Sequence, residues 1–262
     1  MILDTLAEST KARIEAEKAQ LPPAELKAMV ADTDPETGFP FAAAIAAPGR
    51  SFICECKKAS PSKGLIAPDF PYVDIARDYE TAGACAISCL TEPEYFQGSN
   101  QYLKEIAETV SIPVLKKDFT VDEYMIYQAK WYGASAVLLI CAILSDSQMS
   151  EYLGLAHALG LDALVEAHDA EEVARADQIG ANIIGVNNRD LRTFEVDIHN
   201  SVRLRETIPA ETLYVSESGI RNAADVGVLY RNGTNAVLIG ETLMRSPDKR
   251  AMLEELRSEC HD

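Results

Sequence analysis

Two lysines and three glutamates sit where short apolar runs end. They are Glu55 and Lys57 in "FICECK", Lys117 in "VLKKD", Glu166 in "ALVEAH" and Glu217 in "YVSESG". Asn187 and Arg189 hold the corresponding places in "IIGVNNR". A charge inside an apolar run is costly unless it is paired. Ammonium and carboxylate groups that converge from several such runs therefore read as acid–base machinery rather than as solvated strand ends. Neighbouring lysines depress each other's pKa, and a nearby carboxylate raises it. Phosphate calls for donors, and two later loops offer them. "SESGIRNAADV" and "IGETLMRS" carry Gly219 and Gly240, where backbone N–H groups could approach an anion.

Side chains alternate along a strand, which lets the sequence sort these residues by face. In "FICECK", Phe52, Cys54 and Cys56 share one face and Ile53, Glu55 and Lys57 the other. The first set suits packing under helices, so Glu55 and Lys57 are expected to point inward. The same parity groups Leu115 with Lys117, and Leu164 with Glu166 and His168. It also groups Ile183 with Gly185, Asn187 and Arg189, and Val215 with Glu217 and Gly219. Lys116 falls on the outward face, and Lys58 is expected to face away into solvent. His168 is expected to be a solvated histidine at the rim.

The elements that must position these groups repeat. Eight apolar runs lie at 51–57, 85–91, 113–119, 136–142, 162–168, 182–188, 213–219 and 236–242. Helical segments ending in Gly separate them, as at 74–83, 121–133 and 169–180, the last with Asp169 as candidate N-cap. Strands alternating with helices imply βαβ units and a parallel sheet. Eight units between residues 51 and 262 predict a closed α/β (β/α)8 TIM barrel, for which about 250 residues is typical. An open doubly wound sheet would carry fewer units and a G-x-G-x-x-G after its first strand, and that motif is missing. Residues 1–50 lie outside the repeat. They read as a helix stopped by Pro22-Pro23, a short second helix in "AELKAMVA", and a connection "FPFAAAIAAPG" into the first strand. So small a segment is expected to pack on the barrel within a single domain spanning 1–262.

Composition narrows the function classes. The 262 residues are 47% hydrophobic with a net charge of −17. Such an acidic chain repels nucleic acid and anionic membranes. No stretch reaches the roughly 18 apolar residues of a membrane span, and the N-terminus lacks the pattern of a secretory signal. The six cysteines mostly lie in apolar runs without a C-x-x-C pair, so they are expected to be reduced core residues of a cytoplasmic protein.

"ECKKASPSKG" resembles the E-x-K-x-x-S-P-S/T signature of the indole-3-glycerol phosphate synthase family. The resemblance continues in order through "LTEPEYFQGS", "PVLKKDF", "LVEAH", "IGVNNRDL", "SESGI" and "IGETLM". It implies conversion of 1-(2-carboxyphenylamino)-1-deoxyribulose 5-phosphate to indole-3-glycerol phosphate, CO2 and water, with neither metal nor organic cofactor. Lys117 would be the general acid of ring closure. Lys57 would pair with the substrate carboxylate or phosphate, and Glu166 would be the base or cation stabiliser of dehydration. Glu55 and Glu217 would orient the lysines and the sugar hydroxyls, and Asn187 would hydrogen-bond a hydroxyl or the anilino nitrogen. Ser60, Ser218, Gly219, Gly240 and the backbone of Glu241 would hold the phosphate, with Arg189 also on the substrate. Phe96, Phe119 and Leu138 would wall the anthranilate ring. The implied partner is one small phosphorylated substrate, bound by a monomer that could associate with other tryptophan-pathway enzymes. A phosphoribosylanthranilate isomerase would need a Cys or Asp acid–base pair, and Cys54 and Cys56 fall on the wrong face. A non-catalytic barrel would be expected to have lost Lys57, Lys117 or Glu166.

Overall fold

The computed structural model describes residues 2–47, 51–190 and 193–260. Eight strands form its centre: β1 (Ser51–Cys56), β2 (Ala86–Leu90), β3 (Val114–Lys117), β4 (Ala136–Ile140), β5 (Asp162–Ala167), β6 (Ile183–Asn187), β7 (Leu213–Glu217) and β8 (Ala236–Ile239). Each pairs in parallel with its neighbour in sequence, and β8 returns to β1 to close the barrel. All eight expected strands are present. Each stops one to three residues before its apolar run ends, and the released residues begin the loops of the mouth. The helix expected at 169–180 is observed at Ala170–Gln178, with Asp169 accepting from the Glu172 N–H at 2.9 Å.

The alternation divides the core in two. Ile53, Leu115, Leu138, Leu164, Ile183, Val215 and Leu238 fill the barrel. Phe52, Cys54, Cys56, Ile87, Val137, Val165, Ile184 and Tyr214 face the surrounding helices. A slip of one residue in any strand would exchange the two sets and bury its charged residues against helices, so the register is strongly specified. The six cysteines are free thiols, and burial pushes those of Cys85 and Cys89 up to about 11 and about 12.

Three helices precede the barrel: α1 (Ile2–Gln20), α2 (Pro23–Ala31) and α3 (Pro40–Ala46). The third stands where the sequence suggests only a connection. Pro40 at its start fixes φ, and its alanines favour a helix. Its remaining cap comes from the barrel, because the Asp162 carboxylate accepts from the Ala42 N–H at 2.9 Å. Phe41 and Ile45 then join the barrel's inner cluster and close the end where the strands begin. The first helix lies along the opposite region. It buries Leu3, Leu6, Ala7, Thr10 and Ile14, a helical spacing.

A buried ionic network fastens α1 to β3. Asp118 accepts from Arg13 at 2.8 Å, from Thr91 at 2.7 Å and from Lys116 at 3.1 Å. Lys116 does point outward, but it is only 2% exposed because α1 covers it. Burial works against ionised Asp118, yet Lys116 and Arg13 outweigh it and hold its carboxyl at about 2. Asp118→Asn would leave the Lys116 ammonium buried beside Arg13 without its main counter-charge. The expected cost is about 3–5 kcal/mol, measured by urea unfolding at pH 7.

Candidate active site

The strands end in a cavity of about 600 Å³. The end of β1 brings Glu55, which is ion-paired to Lys57. The Lys117 ammonium at the end of β3 lies 3.2 Å from Glu166 Oε2 on β5 and 3.6 Å from Glu217 Oε2 on β7. Asn187 Nδ2 on β6 donates to Glu166 Oε1 at 3.2 Å. Register explains the convergence, since Glu166 sits beside Gly185 and Asn187 beside Glu217.

Two glycines make room for the carboxylates. A Cβ at Gly185 would overlap Glu217 Oε1, and a Cβ at Gly240 would overlap Glu55 Oε1 and crowd Lys57 Nζ. Gly240 has φ of −117°, an ordinary value for any residue, so space rather than conformation requires glycine there. Gly219 differs, with φ of +83°, and it follows Ser218 at +68° in a sharp left-handed turn after β7.

The charges in this cluster set each other's protonation. Burial alone would lower the pKa of Lys117, but Glu166, Glu217 and Glu55 outweigh it and raise it. Burial alone would raise Glu166, but Lys117 and then His168 hold its carboxyl below the ordinary value. Glu217 goes the other way. Burial pushes it up to about 7, Lys117 opposes that, and the charges of Glu166 and Glu55 add to it. Its Oε1 is buried and has no hydrogen-bond partner among the described residues. The mouth thus holds a firm ammonium, a firm carboxylate and a carboxyl poised between its two states near neutrality.

One end of the cavity is cationic. Ser60, Arg189, Ser218, Gly219, Gly240 and Glu241 line it together with Lys63, Arg221 and Arg245. The Glu241 side chain is drawn to Arg245 at 3.1 Å and Lys63 at 3.6 Å. The other end is apolar. Phe96 and Phe119 stand with ring centroids 6.1 Å apart, Phe119 packs on the cluster that holds Leu138 and Leu3, and Leu6 of α1 joins the lining.

All the residues to which the sequence assigns a catalytic or binding role therefore line one cavity. Two expectations need correction. Lys58 is half-buried rather than solvated, and its carbonyl accepts from Ile66 at 2.8 Å at the base of the hairpin Ala59–Ser60/Gly64–Leu65. His168 is not solvated either. Its side chain is 18% exposed and its ring lies between Glu166 and Glu172. Lys63, Arg221, Arg245, Leu3 and Leu6 escape the sequence reading. Each lies in a loop or helix, where strand parity carries no information.

A closed parallel barrel with chemistry-bearing groups at the strand ends is a (β/α)8 barrel of the kind that carries active sites in its mouth. Solved structures share the fold at low identity. A 3-hexulose-6-phosphate synthase matches at TM-score 0.64 and 14% identity, over 80% of this chain and 99% of that one. A thiamine phosphate pyrophosphorylase from Pyrococcus furiosus matches at TM-score 0.61 and 16% identity, over 80% and 95%. The family model described as indole-3-glycerol phosphate synthase matches residues 3–256. The Ruminiclostridium cellulolyticum indole-3-glycerol phosphate synthase is 56% identical over 98% of this chain and 99% of its own. That of Endomicrobium trichonymphae is 50% identical over 98% and 100%. The chain belongs to the indole-3-glycerol phosphate synthase family.

Glu217 also makes a stability prediction. Its folded pKa of about 7 lies above the ordinary 4.5, so between those values the folded state binds more protons than the unfolded. Stability from this group is full below about 4.5 and is lost as pH rises through about 7. Urea titrations across that window should show the loss in the wild type and a flatter curve in Glu217→Gln.

Proposed function

We propose that the chain converts 1-(2-carboxyphenylamino)-1-deoxyribulose 5-phosphate to indole-3-glycerol phosphate, CO2 and water, as a carboxy-lyase of tryptophan biosynthesis. One observation carries the reading. The Lys117 ammonium is held by Glu166 and Glu217 at 3.2 and 3.6 Å, between an apolar wall and a cationic end of a single cavity. That polarity fits a substrate with an aromatic acid at one end and a phosphate at the other.

The steps follow from the groups available. The aromatic carbon that bears the carboxylate attacks the ribulosyl carbonyl, and negative charge grows on the carbonyl oxygen. Lys117 donates its proton there, and a positioned acid contributes typically about 10²–10⁴-fold. Lys57, aligned by Glu55, pairs with the substrate carboxylate until CO2 leaves and the ring regains aromaticity. Lys57, freed when CO2 leaves, then protonates the departing hydroxyl, which leaves as water while Glu166 takes a proton from the five-membered ring. Glu217, poised near neutrality, orients Lys117 and the sugar hydroxyls, and Asn187 supports Glu166 and a substrate hydroxyl. Phe96, Phe119 and Leu138 hold the aromatic ring. Ser60, Arg189, Ser218, Gly219, Gly240 and the Glu241 backbone take the phosphate, with Lys63, Arg221 and Arg245 adding positive charge. The lysines supply the electrophilic assistance, so no step calls for a metal or organic cofactor.

The isomerase alternative loses support from packing, because Cys54 and Cys56 lie between barrel and helices rather than in the cavity. No helix of the described residues is long and apolar enough to cross a membrane. The free thiols fit a reducing compartment, and we place the enzyme in the cytoplasm, acting as a monomer that could associate with other enzymes of the pathway.

Purified protein given the carboxyphenylamino-deoxyribulose phosphate without added metal should yield indole fluorescence. No product at micromolar enzyme would refute the assignment. Lys117→Ala should reduce kcat by at least about 10²-fold with its unfolding curve unchanged in cooperativity. Near-normal turnover in that variant would remove Lys117 from the mechanism.

A further inference from the structure

One titratable side chain beside the cluster takes no part in the steps above. His168 follows β5 and does not line the cavity, because Glu166 stands between. Its ring is held on both sides. Nδ1 lies 3.1 Å from Glu172 Oε2, and Nε2 lies 3.4 Å from Glu166 Oε1. Its backbone is held as well. The His168 N–H donates to the same Glu172 oxygen at 2.8 Å, and its carbonyl accepts from Asn200 Nδ2 at 3.0 Å. Glu172 belongs to the helix after β5 and is also tied to that helix's N-cap, so the clamp is part of the fold rather than a surface contact. The charged groups facing the ring are Glu172 from that helix, Glu166 from its own strand and Glu217 from β7, with Lys117 of β3 beyond Glu166.

The proposed reaction gives this arrangement a purpose. Glu166 is 2% exposed, and its strongest counter-charge is Lys117. Lys117 gives up its proton during ring closure. For as long as Lys117 is neutral, Glu166 would be a buried carboxylate without its main partner, and such a group tends to take a proton. A protonated Glu166 could not serve as the base of dehydration. The only other cation within reach among the described residues is an imidazolium at position 168. Nε2 is buried and has no aligned hydrogen-bond partner among the described residues while Asn187 holds Glu166 Oε1. As an imidazolium it is therefore free to donate Nε2–H to that carboxylate when Lys117 releases it.

We propose that His168 is a positioning residue: clamped by Glu172, it presents Nε2–H to Glu166 and keeps that carboxylate ionised while Lys117 is discharged. The inference rests on the role given to Glu166 under the proposed function. Burial opposes a charge on the ring, but Glu172 and Glu166 outweigh it and raise its pKa above 6.5, which favours the imidazolium at neutral pH.

Two measurements test this, one of which needs no turnover. NMR titration of the histidine rings should show His168 titrating above the ordinary value, and Glu166→Gln and Glu172→Gln should each lower it. In kinetics, His168→Gln should move the acid limb of the kcat profile upward by about one pH unit, with KM changed by less than about twofold. Exogenous imidazole should move the limb of His168→Ala back toward the wild type. Acid limbs that coincide in wild type and His168→Gln would overturn the proposal, as would a uniform loss of kcat at every pH. A ring titration insensitive to Glu166→Gln would overturn it too. If the wild type makes no product but the ring titration is coupled to Glu166, the functional reading fails and the electrostatic pairing stands.

Discussion

The site depends on keeping one ammonium charged away from water. Removing a lysine head group from solvent costs several kcal/mol. A carboxylate at 3.2 Å returns about 5 kcal/mol at an effective dielectric of about 20. One partner therefore only about balances the burial, and the second, Glu217 at 3.6 Å, decides the outcome. Burial works against ionising that second carboxylate, Lys117 opposes it, and the charges of Glu166 and Glu55 add to it, so it is pushed up to about 7. A firm ammonium, a firm carboxylate and a poised carboxyl are thus consequences of one act of burial, not three separate adjustments.

Such a cluster tolerates little displacement, and the fold fixes it from several directions. Strand register sets Glu166 beside Gly185, whose missing side chain leaves the space that Glu217 occupies. Gly240 does the same for Glu55 across the β8–β1 seam. Behind Lys117, the Asp118 network joins its own strand to α1 through Arg13. The same helix places Leu3 and Leu6 over the mouth, so the element that anchors the strand of Lys117 also contributes to the apolar lining.

Strand alternation makes most of this legible in the amino-acid sequence. A period of two separates Phe52, Cys54 and Cys56 from Glu55 and Lys57 without knowledge of tertiary contacts. It fails where the answer depends on what covers a face. Lys116 has outward parity, but only the placement of α1 makes that face buried. The helix at Pro40–Ala46 is hidden from a local reading because its N–H partner, Asp162, lies far along the chain. His168 escapes for a related reason: parity puts it at the rim, but the Glu172 carboxylate that holds it comes from the next helix. The cations at the far end lie in loops, which have no period to read.

A net charge of −17 runs against a substrate that carries both a carboxylate and a phosphate. Distance resolves the conflict. At physiological ionic strength, exposed charges are screened beyond about 8 Å, so most of the surface acids do not act inside the mouth. What acts there is local. Lys57 and Lys117 line the mouth beside Glu55 and Glu166, and Lys63, Arg189, Arg221 and Arg245 gather around Glu241. Glu241 is drawn to Lys63 and Arg245, so it offsets part of their charge. An incoming phosphate would compete with that carboxylate for the same cations, while the aromatic end has only Phe96, Phe119 and apolar side chains to meet. On the proposed reading, the two ends of the substrate would be distinguished by what each must displace, and its carbonyl would rest between them, beside the ammonium that Glu166 and Glu217 keep charged.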